Sequence, residues 1–194
     1  MKITGKKNRM AGLLLGGILT LTLFAGCGSE ETGGPDTTSL EQCSLASFTA
    51  QTMDGGAYTQ DDIQNKDVTI INFWGTTCGP CIAEMPDLAE YEKTLPDNVA
   101  LVTVCLDWSR KGDVAAEIME EAGYEGITLF GGDGDYGKIC SVVRWMPTTI
   151  FVDSEGNQVG EAIIGGQTEL AAVYTERVNQ VLKEAGKAEI ELEK

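Results

Sequence analysis

Hydrophobic and polar positions fall into a recognisable order along this chain. Asp67 to Trp74 is almost continuously apolar and rich in β-branched and aromatic residues, the pattern of a strand buried on both faces. A helical spacing of apolar positions follows from Ile82 to Lys93, then a second buried strand from Val99 to Leu106. A strand, helix, strand unit of this kind is expected to be parallel and right-handed. Beyond it the pattern predicts a helix over Asp113 to Ala122, a short strand over Ile127 to Phe130 and a short helix over Tyr136 to Val142. Strands are then expected at Thr148 to Asp153 and Gln158 to Ile164, joined by the hairpin-forming Ser154-Glu155-Gly156-Asn157, with a last helix from Gln167 to Ala185. The order is a βαβ half and a ββα half. It predicts an α/β fold with a central mixed β-sheet flanked by helices.

The amino terminus follows a different pattern. Lys2, Lys6, Lys7 and Arg9 precede an apolar run from Met10 to Phe24 that ends in small residues and Cys27. This is the layout of a secretory signal, and the run is short of the roughly 20 residues that span a bilayer as a helix. Leu23-Phe24-Ala25-Gly26-Cys27 resembles a bacterial lipobox, although Leu23 stands one place earlier than that pattern usually has it. The resemblance implies a signal peptide over residues 1–26 and lipidation of Cys27 as the first mature residue; an uncleaved helical anchor is the alternative. Either arrangement places the remainder outside the cytoplasm. Residues 27–42 are rich in Gly, Ser, Thr and acidic residues and read as a flexible acidic tether. A folded domain is expected over 43–186, and a frayed tail over 187–194.

Composition narrows the chemistry. The 194 residues allow one ordinary domain, and 42% hydrophobic residues favour a folded one. Net charge is -16, and setting aside the four basic residues of the leader leaves ten basic against 30 acidic residues. Such a surface repels phosphate, so nucleic acid is not an expected partner, and membrane attachment has to come from the anchor. The chain contains no histidine. That excludes Ser/His and Cys/His catalysis and His-ligated metals, leaving Cys, Asp, Glu, Lys and Tyr to carry any reaction.

Cys78-Gly79-Pro80-Cys81 lies between the central strand and its helix. Two cysteines at this spacing can close a small disulfide. The free N–H groups and dipole of a helix N-terminus favour a thiolate on the first, so Cys78 is the expected nucleophile, and Cys81 the cysteine that resolves a mixed disulfide. The alternatives are a structural bridge, which would close too short a loop to stabilise much, and half of a zinc site, for which Cys105 and Cys140 have the wrong spacing. Cys43, Cys105 and Cys140 are left over. Cys105 is expected to be an inert core residue, a Cys105 to Cys140 bridge is the alternative, and Cys43 has no assigned role.

The segment Asn72-Phe73-Trp74-Gly75-Thr76-Thr77-Cys78-Gly79-Pro80-Cys81-Ile82-Ala83-Glu84-Met85-Pro86, with Trp145-Met146-Pro147-Thr148-Thr149 further on, resembles the TlpA/ResA-like branch of the thioredoxin superfamily. The likeness runs from about Ala46 to Leu182. It implies a thioredoxin-like fold and a thiol:disulfide oxidoreductase whose cofactor requirement is none beyond the redox-active disulfide Cys78-Cys81. Asn72 stands where cytosolic thioredoxins keep a buried aspartate. Glu84, on the face of Cys81 one turn on, matches a glutamate of this branch and is the substitute proton acceptor; a solvated helix residue is the alternative reading. Pro86 matches a helix-kinking proline, Thr77 replaces a tryptophan, and Trp74 keeps the other motif tryptophan. Pro147 matches the family's cis-proline, which would set Met146 beside the cysteines, so Trp74, Met146 and Pro147 are the expected substrate-binding residues.

The Gly-Pro dipeptide matches reducing thioredoxins and favours reduction over oxidation. The implied partners are client protein disulfides and a membrane electron donor of the CcdA/DsbD type, with the protein itself a monomer. Two rivals remain: a peroxiredoxin-type peroxidase, whose P-x-x-x-T-x-x-C context Cys78 lacks, and a non-catalytic metal- or partner-binding lipoprotein.

Overall fold

The computed structural model describes Leu40 and residues 44–191. Seven strands and five helices follow one another as β1 (Phe48–Thr52), β2 (Ala57–Thr59), α1 (Gln60–Gln64), β3 (Val68–Trp74), α2 (Gly79–Glu92), β4 (Val99–Cys105), α3 (Trp108–Ala122), β5 (Ile127–Gly134), α4 (Asp135–Val142), β6 (Thr148–Asp153), β7 (Ile163–Ile164) and α5 (Leu170–Glu184). They form one mixed sheet in the order β2-β1-β5-β4-β3-β6-β7. β3, β4 and β5 run parallel, as the strand, helix, strand pattern requires, and the remaining pairings are antiparallel.

Side chains alternate across the sheet with period two and build a core on each face. Ile70, Trp74, Leu101, Cys105 and Phe151 face one core, where Met85, Leu88 and Cys81 of α2 and Tyr174 and Val178 of α5 meet them. Ile71, Phe73, Val102, Val104 and Ile150 face the other, covered by Ile63, Tyr136 and Ile139. The central strand is buried along its whole length, so each of its residues must suit one core or the other. Asn72 is the polar exception on the α2 face.

Several expectations change in the structure. β1, β2 and α1 precede the central strand where no element was expected; β1 alternates buried and exposed positions, and α1 begins with a capping box between Thr59 and Asp62. The hairpin turn at 154–157 forms, with Asp153 Oδ1 accepting from the N–H groups of Glu155 and Asn157. The strand after it does not run continuously from Gln158 to Ile164. Pairing slips by two residues between Val152↔Gln158 and Thr149↔Ile163, at Gly160 with φ +72°, leaving only Ile163 and Ile164 in the sheet. α3 has an extra first turn from Trp108, set off from the expected helix by non-helical Lys111.

Both ends of the domain are tied down more than expected. Leu40 is buried against the second core, although it falls in the segment read as a free tether. Of the segment read as a frayed tail, Lys187 pairs with Asp67 at 3.1 Å, and the backbone of Ile190 donates to and accepts from the amide of Asn179. The leader, Cys27 and Cys43 lie outside the described residues.

Candidate active site

Trp74 ends β3, and four residues later the chain turns into α2. Cys78 is the N-cap of that helix, extended at φ -90° and ψ 98°, with its sulfur accepting from the Cys81 N–H at 3.3 Å. Pro80 sits in the first turn, where its missing N–H costs nothing. Cys78 and Cys81 are joined by a disulfide, with Cα atoms 5.3 Å apart. Cys78 is partly exposed between exposed Thr77 and Gly79, whereas Cys81 is wholly buried. A client can therefore reach only the first sulfur.

The loop carrying Cys78 is braced from β4. In register, Trp74 lies beside Cys105, which carries Asp107 to the back of the loop. The Asp107 carboxylate accepts from the Thr76 N–H at 3.1 and 3.2 Å and from the Thr76 hydroxyl at 2.6 Å. Burial pushes this carboxyl up, but the Thr76 hydrogen bonds outweigh it and hold Asp107 below the ordinary aspartate value. Gly75 fits between two side chains: a Cβ there would stand 3.3 Å from Met146 Sδ and 3.5 Å from Asp107 Oδ1. That contact brings the Met146-Pro147 segment, joined by a cis peptide bond, against the active loop.

Glu84 is the second carboxylate. It is 4% exposed, so it is not a solvated helix residue. Its Oε1 accepts from Asn72 Nδ2 at 3.0 Å, and its Oε2 from the backbone N–H of Gln167 at 3.4 Å. Burial raises its pKa, and these two donors offset part of the rise. Pro86 lies inside α2, which continues through it.

Of the expected substrate-binding residues, Met146 is 40% exposed beside Trp145 at 59%, and together with Ile82 they put an apolar rim at the disulfide. Trp74 does not belong to that rim. Its indole is entirely buried in the α2-side core, so it supports the loop from beneath and offers a client no surface. Cys105 and Cys140 are free thiols and do not bridge. Burial pushes Cys105 up to about 12, helped by Asp107, and Cys140 to about 11, which leaves little thiolate on either at neutral pH. Among the described residues no cluster of three His, Cys, Asp or Glu side chains could hold a metal ion.

Asp107 was not singled out from the sequence. Only the β3·β4 register reveals it, since 31 positions separate it from Thr76. Thr149, whose hydroxyl lies 3.0 Å from Asn72, stood in the second motif without a role of its own, and Tyr174, 2.6 Å from Thr149, was unmarked.

A helix-capping, partly exposed cysteine bonded to a buried partner just beyond the C-terminal end of the central strand defines a thioredoxin-like thiol:disulfide oxidoreductase. The chain belongs to the Redoxin family, whose model matches residues 35–176. It is 29% identical over 178 residues to the thiol-disulfide oxidoreductase ResA of Bacillus thuringiensis, covering 84% of this chain and 92% of that protein. It is 27% identical over 156 residues to the thioredoxin-like protein YneN of Bacillus subtilis, covering 77% of this chain and 86% of the relative. The fold is shared with the thioredoxin domain of a thiol-disulfide oxidoreductase from Bacteroides vulgatus, at TM-score 0.57 and 21% identity over 70% of this chain and 96% of that one.

Proposed function

We propose that this protein is a reductase of disulfides in client proteins, held outside the cytoplasm on a lipid anchor at Cys27. The observation that carries the reading is the unequal placement of the two sulfurs, Cys78 partly exposed at a helix cap and Cys81 buried one turn from Glu84. In the dithiol form Cys78 thiolate attacks a client disulfide, forming a new S–S bond and expelling a client thiolate. Cys81 then loses its proton to the Glu84 carboxylate and attacks Cys78, releasing the second client thiolate. The client gains two electrons, and the Cys78-Cys81 disulfide is regenerated. A membrane electron donor of the CcdA/DsbD type would return two electrons to begin the next cycle.

Met146 and Pro147 are read as the segment against which an extended client chain lies, because Met146 packs at the loop preceding Cys78 and remains partly exposed. Support for the anchor comes from the lipobox-like segment ending at Cys27. The absence of nucleic acid among the partners rests on the acidic composition.

Trapping combined with redox titration tests the assignment. A Cys81→Ala variant should accumulate Cys78-linked mixed disulfides with clients, which a reductant dissolves, and the wild-type pair should titrate at a potential reducing enough to open insulin. Absence of trapped adducts together with inactivity toward insulin would remove the reductase reading. Lipid labelling that persists in Cys27→Ala would remove the anchor.

A further inference from the structure

Beneath the disulfide, three polar side chains with almost no exposure continue from Glu84 across the sheet to α5. Asn72 and Thr149 lie opposite each other in the β3·β6 register, and Tyr174 closes the row. Asn72 Nδ2 donates to Glu84 Oε1 and to Thr149 Oγ1, each at 3.0 Å. Thr149, having accepted from Asn72, has its own hydrogen to give to Tyr174, whose hydroxyl is 2.6 Å away. The Asn72 oxygen is buried with no hydrogen-bond partner, a costly position for an acceptor.

This arrangement suits only one charge state of Glu84. Both groups hydrogen-bonded to its carboxylate are donors, which satisfies an ionised Glu84, whereas neither can accept the hydrogen of a protonated one. A half-turn of the Asn72 amide supplies one. Its oxygen would then accept from the Glu84 O–H and from the Thr149 O–H, freeing Thr149 to accept from Tyr174. The amide N–H groups would point where the oxygen now stands, so the reversed arrangement is favoured only while Glu84 is neutral.

We infer that Asn72, Thr149 and Tyr174 are positioning residues forming a hydrogen-bond chain that reverses direction when Glu84 takes up a proton, and that this chain sets the proton affinity of Glu84. The functional meaning rests on the reading of Glu84 as acceptor for Cys81: the S–H bond breaks, the electron pair stays on sulfur and an O–H bond forms on Glu84. The other titratable groups around Glu84 are Asp87, Cys78 and Cys81 on α2 and Tyr174 on α5, and Asp87 and burial both oppose its charge. β3 and β6 contribute Asn72 and Thr149, neither of which titrates.

The test uses the oxidised protein, in which neither Cys78 nor Cys81 titrates, so its outcome does not depend on the role of Cys81. Carbon-13 NMR of the Glu84 carboxyl, assigned by its loss in Glu84→Gln, is followed with pH alongside the side-chain N–H pair of Asn72. The Asn72 resonances should move with the Glu84 midpoint. Tyr174→Phe strands the Thr149 hydrogen in the present arrangement but not in the reversed one, so it should raise that midpoint by about half to one pH unit. Thr149→Val, which cuts the link between Asn72 and Tyr174, should also move it, and Thr149→Ser, which keeps the hydroxyl, should leave it near the wild-type value. Asn72 resonances that stay still through the Glu84 midpoint, or a midpoint unmoved in both Tyr174→Phe and Thr149→Val, would overturn the inference. The Cys81 reading fails separately, if Glu84→Gln leaves the Cys81 thiol titration of the reduced protein unchanged.

Discussion

Glu84 and Asp107 are acids on either side of the same short active loop, and their surroundings push them in opposite directions. Glu84 is buried in α2 with two donors and an elevated pKa; Asp107 stands at the start of α3, where the hydrogen bonds of Thr76 hold its pKa down. In the proposed mechanism two carboxylates with separated proton affinities divide the work between them. The elevated one can accept and return a proton near the buried sulfur. The depressed one remains charged through the working pH range and fixes the loop that presents the exposed sulfur. What differs is the number of donors and the depth of burial, since the functional groups are chemically the same.

The largest effect on this contrast should come from Glu84→Gln, which keeps shape and removes proton uptake. Positioned proton transfer contributes on the order of 10²-fold or more to rates, so client reduction near neutral pH should fall by about 100-fold. Attack by Cys78 in single-turnover trapping should be little changed. A variant slowed in the trapping step and not in release would show that Glu84 acts on the wrong sulfur. Stability carries the same signature. An acid whose folded pKa is raised above the ordinary 4.5 opposes folding increasingly as pH rises from 4.5 through the folded value. The melting temperature of Glu84→Gln relative to wild type should therefore climb over that window and level off above it, and a difference that stays flat from pH 4 to 8 would contradict the raised pKa.

Asp107→Ala comes next, and its effect should be on the fold of the loop. It removes the acceptors of the Thr76 N–H and hydroxyl, and a buried donor left unpaired costs about 1–3 kcal/mol. Chemical denaturation should show a loss of about 2 kcal/mol, most of it recovered in Asp107→Asn, whose oxygen can still accept. For the aspartate the pH dependence has the opposite sense. Its folded pKa lies below 3.8, so its contribution is present above pH 3.8 and lost as pH falls through the folded value. Equal losses in the alanine and asparagine variants would mean that charge, and not hydrogen bonding, holds the loop.

How these two sites stood in the sequence explains what could be read there. The strand before Cys78, the helix after it and the return strand are legible because each is long and either continuously apolar or helically spaced. The disulfide pair follows from its position at a helix start, and Glu84 follows from its spacing to Cys81 along one helix. Asp107, Thr149 and Tyr174 act through contacts that span at least 25 positions, which depend on sheet register and on which face each residue takes. Trp74 shows the same limit in reverse: its place in the motif suggested a contact surface, while the inward direction of its side chain is set by strand parity. β1 and β2 escaped notice because they are short, with small and polar residues among their positions.

The smallest effect should come from Cys105→Ala, which separates the two functions a sulfur can have beside this loop. Cys105 donates to Asp107 at 3.4 Å, the weakest of that carboxylate's contacts, since a thiol is a poor donor. Truncation removes one sulfur from a buried strand end and leaves both Thr76 bonds in place, so the stability loss should stay near 1 kcal/mol. Activity should be preserved, because a thiol raised to about 12 by burial supplies almost no thiolate at neutral pH. Alkylation of the reduced protein would then label Cys78 rapidly in wild type and variant alike. A fall in client reduction in Cys105→Ala, without loss of fold, would instead mean that this third sulfur exchanges with the pair, and that Asp107 restrains a reactive thiol as well as bracing the loop.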